Sequence, residues 1–233
     1  MVLSELIQRS PIRIFEQSIN GGLKPGEIGV IASPRGVGKT SVLVQLALDK
    51  LLQGKKVIHV SFNQQTQHVP IWYEDIFSEF INKKNLENAA EIKSDLVKNR
   101  VIMNFSQDGV TKEQIIKSLR AMIIEGGFKA DSIIIDGFDF SRANKENIEA
   151  VKIFATELGV AVWYSCSVSD ESDYDKENIP VILGGFAGNL DVVIILKPKS
   201  DHVELSISKD RDSIISKSMA MRLDTKTLLI LEV

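Results

Sequence analysis

Cysteine is all but missing from this chain: of 233 residues only Cys166 carries a thiol. No disulfide can form within it, which suits a reducing interior. Histidine is nearly as scarce. His59, His68 and His202 stand too far apart for metal-ligand spacing, so each reads as a structural or surface residue. Excess charge of either sign is missing as well. Twenty-eight basic residues against 31 acidic ones leave a formal net charge of −3, which removes the global positive field that draws a chain to nucleic acid or to an anionic membrane. The clusters Lys83-Lys84 and Lys197-Pro198-Lys199 are too short to argue otherwise. No signal-peptide pattern is present, and the apolar runs are too short to span a bilayer. The expectation is a soluble, cytoplasmic protein with no membrane partner.

A chain of this length with 44% hydrophobic residues can bury one sizeable core, and a single domain over residues 1–233 is expected. Apolar runs alternate with amphipathic helical stretches, as in parallel strands joined by crossover helices. Strands are predicted at 28–32, 57–61, 101–105, 132–136 and 161–165. Between them a helix is predicted at 41–52, with Val42, Leu43, Leu46, Ala47 and Leu51 along one face. Another starts at Thr111 with a Thr-x-x-Gln capping pattern, and a third is capped by Asn144 and ends near Leu158-Gly159. Trp72, Tyr73, Phe77 and Phe80 have the spacing of one helix face, read as core. After Cys166 comes a polar stretch, 167–178, whose acidic part, 170–177, reads as a surface loop. Three β-like runs follow at 192–196, 203–207 and 219–233, the last a hairpin turning at 224–226. The fold class is α/β, with a mainly parallel central sheet flanked by helices and an antiparallel C-terminal extension.

Residues 28–40 read I-G-V-I-A-S-P-R-G-V-G-K-T, an apolar run broken by a glycine-rich turn. This matches a P-loop, with Ser33 in place of the first glycine of G-x-x-x-x-G-K-[ST]. Backbone N–H groups of such a turn point into one concavity, the next helix presents its positive end, and the lysine reaches the outer phosphates. The candidate nucleotide-binding residues are Ser33, Pro34, Arg35, Gly36, Val37, Gly38, Lys39, Thr40 and Ser41. The Thr40 hydroxyl is the natural ligand of the Mg2+ that accompanies ATP. Ile133-Ile134-Ile135-Asp136 has the form of a Walker B strand, whose Asp136 carboxylate would orient the magnesium opposite Thr40. Asp139 competes for that role but reads as solvated.

Gly21-Gly22-Leu23-Lys24-Pro25-Gly26-Glu27, followed by the strand, P-loop and helix, resembles the RecA-type ATPases, particularly the KaiC group and the C-terminal motor domain of the replicative helicase DnaB. The similarity covers most of the chain and is most specific over residues 21–52. It implies a RecA-like P-loop NTPase fold, ATP and Mg2+ as cofactors, and a homo-oligomer, as a ring or filament. Lys209-Asp210-Arg211 resembles the Lys-x-Arg element in which the arginine, here Arg211, reaches the nucleotide of the adjacent subunit. Two positions depart from the family. Where it carries a water-polarising glutamate, this chain has Asn63 and Gln64, which can position a water but cannot accept its proton. Loss of such assistance costs about 10²–10⁴-fold in rate. Where the family carries a γ-phosphate-sensing glutamine, this chain has Cys166, read as a small buried residue. Lys39, Asn63, Gln64 and Arg211 are thus the candidate catalytic positions. The expected function is ATP binding of a regulatory, KaiC-like kind with weak or absent hydrolysis. An active DNA-dependent motor ATPase and a non-catalytic scaffold with a relic P-loop stand as alternatives, nucleic-acid contact being unsupported by charge.

Overall fold

The computed structural model describes residues 3–62, 68–84, 88–108, 111–169 and 173–233, apart from the side chains of residues 83, 84 and 112. The apolar run ahead of the glycine-rich turn forms β1 (Ile28–Ser33), buried along its whole length. A strand covered on both faces reads as a continuous apolar run because neither side meets water. β2 (Val57–Ser61) is buried throughout, and in β4 (Ser132–Asp136) only the terminal Asp136 reaches partial exposure. β3 (Arg100–Asn104), β5 (Ala161–Ser167), β6 (Val192–Pro198), β7 (His202–Asp210), β8 (Ser213–Asp224) and β9 (Ile230–Glu232) complete the described strands. The sheet order is β3-β2-β4-β5-β1-β6-β7-β8-β9. Pairing is parallel from β3 to β6 and antiparallel from β6 to β9.

Side chains alternate across this sheet and so feed two cores. One contains Ile31, Ile134 and Trp163, covered by α1 (Leu3–Gln8), α2 (Ile12–Ser18), α3 (Lys39–Leu52), α4 (His68–Lys84) and α5 (Ala89–Lys98). The other contains Val30, Ile133, Ile135 and Tyr164, covered by α6 (Lys112–Arg120) and α7 (Lys145–Leu158), with a one-turn α8 (Val181–Gly184) nearby. Gly29 is needed where it stands, since a Cβ there would lie 2.4 Å from the Trp163 ring.

The local signals behave as their chemistry requires. Thr111 and Gln114 form a reciprocal capping box, Asn144 caps α7 through the Asn147 N–H, and Gly159 closes that helix in the left-handed conformation. Tyr73 and Phe77 are buried and Trp72 and Phe80 pack against the same core, so the aromatic stripe of α4 faces inward. The C-terminal hairpin differs from expectation. β8 begins at Ser213 rather than 219, and its first half, Ser213 to Ser218, is mostly exposed and polar. An outer strand with little to bury carries no apolar alternation for a sequence reading to detect.

Candidate functional site

Parallel strands bring all their C-terminal ends to one sheet edge, and here that edge borders a cleft of about 610 Å³, within the size range of small-molecule sites. Arg35 and Gly36 line it from the loop between β1 and α3, and Lys39 and Thr40 from the first turn of α3. Asp136 and Gly137 line it from the end of β4, Ser61 and Phe62 from β2, and Ser165 and Ser167 from β5. His68 and Gln107 close the remaining wall.

The loop takes its shape from its glycines. Gly36 (φ 79°) and Gly38 (φ 114°) occupy backbone regions that side chains disfavour. The first backbone hydrogen bond into α3 runs from Val42 N–H to Gly38 O at 3.1 Å, and no side chain caps the helix. The N–H groups ahead of it and the positive end of a 14-residue helix therefore face the loop concavity, an arrangement suited to an anion. Lys39 Nζ donates to Ser33 O at 2.9 Å, to Pro34 O at 2.8 Å and to Ser33 Oγ at 3.3 Å. Ser33, standing where the motif has glycine, is fully buried and helps to hold the lysine. Burial pushes the Lys39 ammonium down to about 8, against a pull upward from the Asp136 carboxylate.

Thr40 Oγ1 donates to Asp136 Oδ2 at 2.9 Å, so hydroxyl and carboxylate, 96 residues apart, stand side by side. Gly137, the residue after Asp136, is held at both its backbone groups: Gly137 N–H donates to Ser165 Oγ at 2.7 Å, and Gly137 O accepts from Gln107 Nε2 at 2.7 Å. The sequence reading missed Ser165 and Gln107 in this role. No local pattern marks them, because their partner belongs to a different strand.

The candidate residues do not all face the cleft. Ser41 is fully buried, and its hydroxyl donates to Leu228 O at 2.6 Å. Gln45 adds a hydrogen bond to the same carbonyl at 2.9 Å and accepts one from Ile230 N–H at 2.8 Å. The side chain of Ser41 thus anchors the β8–β9 hairpin and does not reach the cleft, a correction to the sequence reading. Val37 packs against the core, and Pro34 contributes its carbonyl to Lys39. Asp139 accepts from the N–H and hydroxyl of Ser141 and pairs with Arg142, and it does not line the cleft. Cys166 is buried, and burial pushes its thiol up to about 12, so it is uncharged at neutral pH. Asn63 and Gln64 lie outside the described residues.

Two histidines acquire distinct surroundings. His68, read from sequence as structural or surface, instead lines the cleft at the first residue of α4. His59 is fully buried one turn of the pleat below Ser61, with Nδ1 3.1 Å from the Tyr73 hydroxyl and Nε2 without a partner among the described residues. Burial pushes its imidazole down to about 4, partly opposed by Asp136.

The fold carries Arg211 to the far end of the sheet. It lies in the turn after β7, where Asp210 pairs with Val192 at the start of β6, on the sheet edge opposite the cleft. Its guanidinium donates to Glu27 Oε1 and Oε2 at 3.0 and 2.7 Å, to Ile19 O at 2.8 Å, to Gly22 O at 2.7 Å and to Asp210 Oδ1 at 2.5 Å. The glycine-rich lead at 21–27 therefore wraps this arginine. No protein-family model matches the chain, and no curated protein matches it.

Proposed function

We propose that the chain is a RecA- and KaiC-like regulatory protein that binds ATP with Mg2+ at residues 33–40 and Asp136, and hydrolyses it weakly or not at all. One observation carries this reading. A glycine-shaped loop with an inward lysine opens an uncapped helix N-terminus, and its next residue, Thr40, touches the acid that ends a neighbouring parallel strand. Such a loop supports phosphate binding through backbone N–H groups and a lysine charge. The strand order gives the cleft several C-terminal strand ends, where open α/β sheets bind ligands.

The donor set also suits magnesium brought by the nucleotide. Among the described residues no group of three or more His, Cys, Asp or Glu could hold a metal. A hydroxyl and one carboxylate, however, are what Mg2+ takes from a protein when phosphates and waters supply the rest. Bound there, Mg2+ would neutralise phosphate charge. Thr40 would be its hydroxyl ligand and Asp136 would orient it, while Ser165 and Gln107 hold the next residue, Gly137, by its backbone.

Calorimetry of Mg-ATP binding beside a sensitive phosphate-release assay tests the reading. Saturable binding at or below millimolar nucleotide, abolished in Lys39→Ala, is the expected result, with turnover well under about 1 s⁻¹. Binding absent at millimolar nucleotide, or unchanged in Lys39→Ala, would remove the nucleotide site. Turnover at or above that rate would favour a motor ATPase.

A further inference from the structure

Behind Phe62 and Gln107, which also line the cleft, lies a separate cavity of about 160 Å³. Its inner walls are apolar: Ile115, Ile135, Val151 and the rings of Phe62, Phe138 and Tyr164. The rings meet edge to face, with Phe138 centred 5.7 Å from Phe62 and 5.5 Å from Tyr164. An apolar cavity of about 150 Å³ takes up benzene, so this one has room for a single six-membered ring. Polar atoms come to it from Gln107, Asp139, Arg142 and Asn147, all at least half-exposed or partly so, whereas Ile115, Ile135, Val151 and Tyr164 are buried. The polar groups therefore form the mouth and the apolar ones the floor.

The guanidinium at the mouth is already paired. Arg142 pairs with Asp108 at 2.6 Å and with Asp139 at 3.5 Å, and burial keeps the Tyr164 phenol protonated. An anion would find no free cation there and a cation would compete with Arg142 for its two carboxylates, while the Asn147 carboxamide offers both a donor and an acceptor. We propose that this cavity is a second ligand site. It takes an uncharged, single-ring aromatic molecule bearing one hydroxyl or amino group, and its occupancy is linked to that of the cleft. The free molecule is favoured over a partner's side chain on orientation. A tyrosine enters ring tip first and would carry its hydroxyl to the apolar floor, but a free phenol can enter the other way round and leave its hydroxyl at Asn147.

The linkage follows from the shared walls. Phe62 N–H donates to Asp136 O at 3.0 Å, and Gln107 Nε2 donates to Gly137 O at 2.7 Å. The two consecutive peptide units that follow Asp136 are thus held by residues that also bound the second cavity. A ligand that moves Phe62 or Gln107 acts on Asp136, and coupling between two sites is reciprocal. This linkage, unlike the cavity itself, rests on the nucleotide reading.

Phenol is the probe. Titrated into the unmodified protein, it is expected to bind with millimolar affinity and to give intermolecular NOEs to the methyl groups of Ile115 and Val151. Val151→Phe, which fills the cavity, should weaken phenol at least about tenfold. Asn147→Ala should weaken phenol but not toluene. Saturating Mg-ATP should change phenol affinity by about fivefold or more, and Gln107→Ala should remove that change. Absence of the NOEs at tens of millimolar phenol overturns the site, whether or not Val151→Phe folds. N-acetylphenylalaninamide displacing phenol at lower concentration overturns the small-molecule reading in favour of a peptide anchor. If calorimetry shows Mg-ATP bound and phenol affinity unmoved, the linkage is wrong. If Mg-ATP does not bind at all, the nucleotide reading fails and the NOEs alone judge the cavity.

Discussion

Lys39 carries its charge at a cost in the ligand-free loop. Its value of about 8, below the ordinary 10.5, means that between those two pH values the unfolded chain binds more protons than the folded one. The contribution of this group to stability therefore rises with pH over that window. A phosphate beside the ammonium reverses the effect, because negative charge favours the protonated form. Nucleotide binding at about pH 8.5 should then take up a fraction of a proton. Binding enthalpies measured in two buffers of different ionisation enthalpy should differ accordingly, and equal enthalpies would refute the shift. His59 behaves as a second reporter. Its folded value of about 4 against the ordinary 6.5 leaves it neutral in the native state while the unfolded chain gains a proton. Stability is expected to fall as pH drops from about 6.5 towards 4. Urea unfolding at several pH values should show a shallower loss in His59→Gln, which keeps a polar partner for Tyr73.

At the scale of elements, the C-terminal hairpin and the glycine-rich loop are parts of one assembly. Ser41 and Gln45 of α3 hold Leu228 and Ile230, and Leu223 of β8 lies so close to Gly38 that an added Cβ would sit 2.4 Å from its Cδ2. Gly38→Ala should be destabilising through two separate causes. The φ of 114° strains any side chain, at about 1–3 kcal/mol, and the clash with a fully buried leucine adds about 1–3 kcal/mol. Leu223→Ala alone should cost about 2–5 kcal/mol. In the double variant the clash disappears and the strain stays, so its loss should fall short of the sum of the single losses by about 1 kcal/mol or more. Strictly additive losses in denaturant titrations would mean that the hairpin does not press on the loop.

The opposite edge of the sheet depends on Arg211. Its guanidinium meets the Glu27 and Asp210 carboxylates and the Ile19 and Gly22 carbonyls, and its side chain, like those of Glu27 and Asp210, is largely withdrawn from water. Removing one partner of such a cluster leaves the other charges buried, at about 3–5 kcal/mol. Arg211→Ala is therefore expected to lower stability at any protein concentration, with or without nucleotide. Burial opposes ionisation of Glu27, yet the Arg211 hydrogen bonds, the Lys24 N–H and both charges outweigh it and hold the carboxyl below its ordinary 4.5. That stabilisation is present above 4.5 and is lost as pH falls through the lower folded value, and it should vanish in Arg211→Ala. Unfolding midpoints across that range check it. A variant that kept its stability but lost a nucleotide-dependent rise in sedimentation rate would instead mark Arg211 as a finger for a neighbouring copy.

Much of this molecule is legible in its sequence because much of its chemistry is local. An apolar run buried on both faces announces a strand. Thr111 and Gln114 cap a helix within four residues, and two glycines, a lysine and a threonine encode a loop whose backbone must pass through φ > 0. Asp136 was readable as well, since it ends an apolar run. What the sequence could not supply are relations between distant segments whose residues carry no pattern of their own. Ser165 and Gln107 clasp Gly137 only because β5 and the segment after β3 converge on the end of β4. His68 reaches the cleft only through the placement of α4, and Ser41 turns away from it only because the hairpin of β8 and β9 offers Leu228 O. The same holds for the aromatic cavity, whose lining runs from Phe62 after β2 to Tyr164 in β5. Local propensity and backbone stereochemistry determined the elements and the loop, and tertiary packing alone decided which side chains face the cleft.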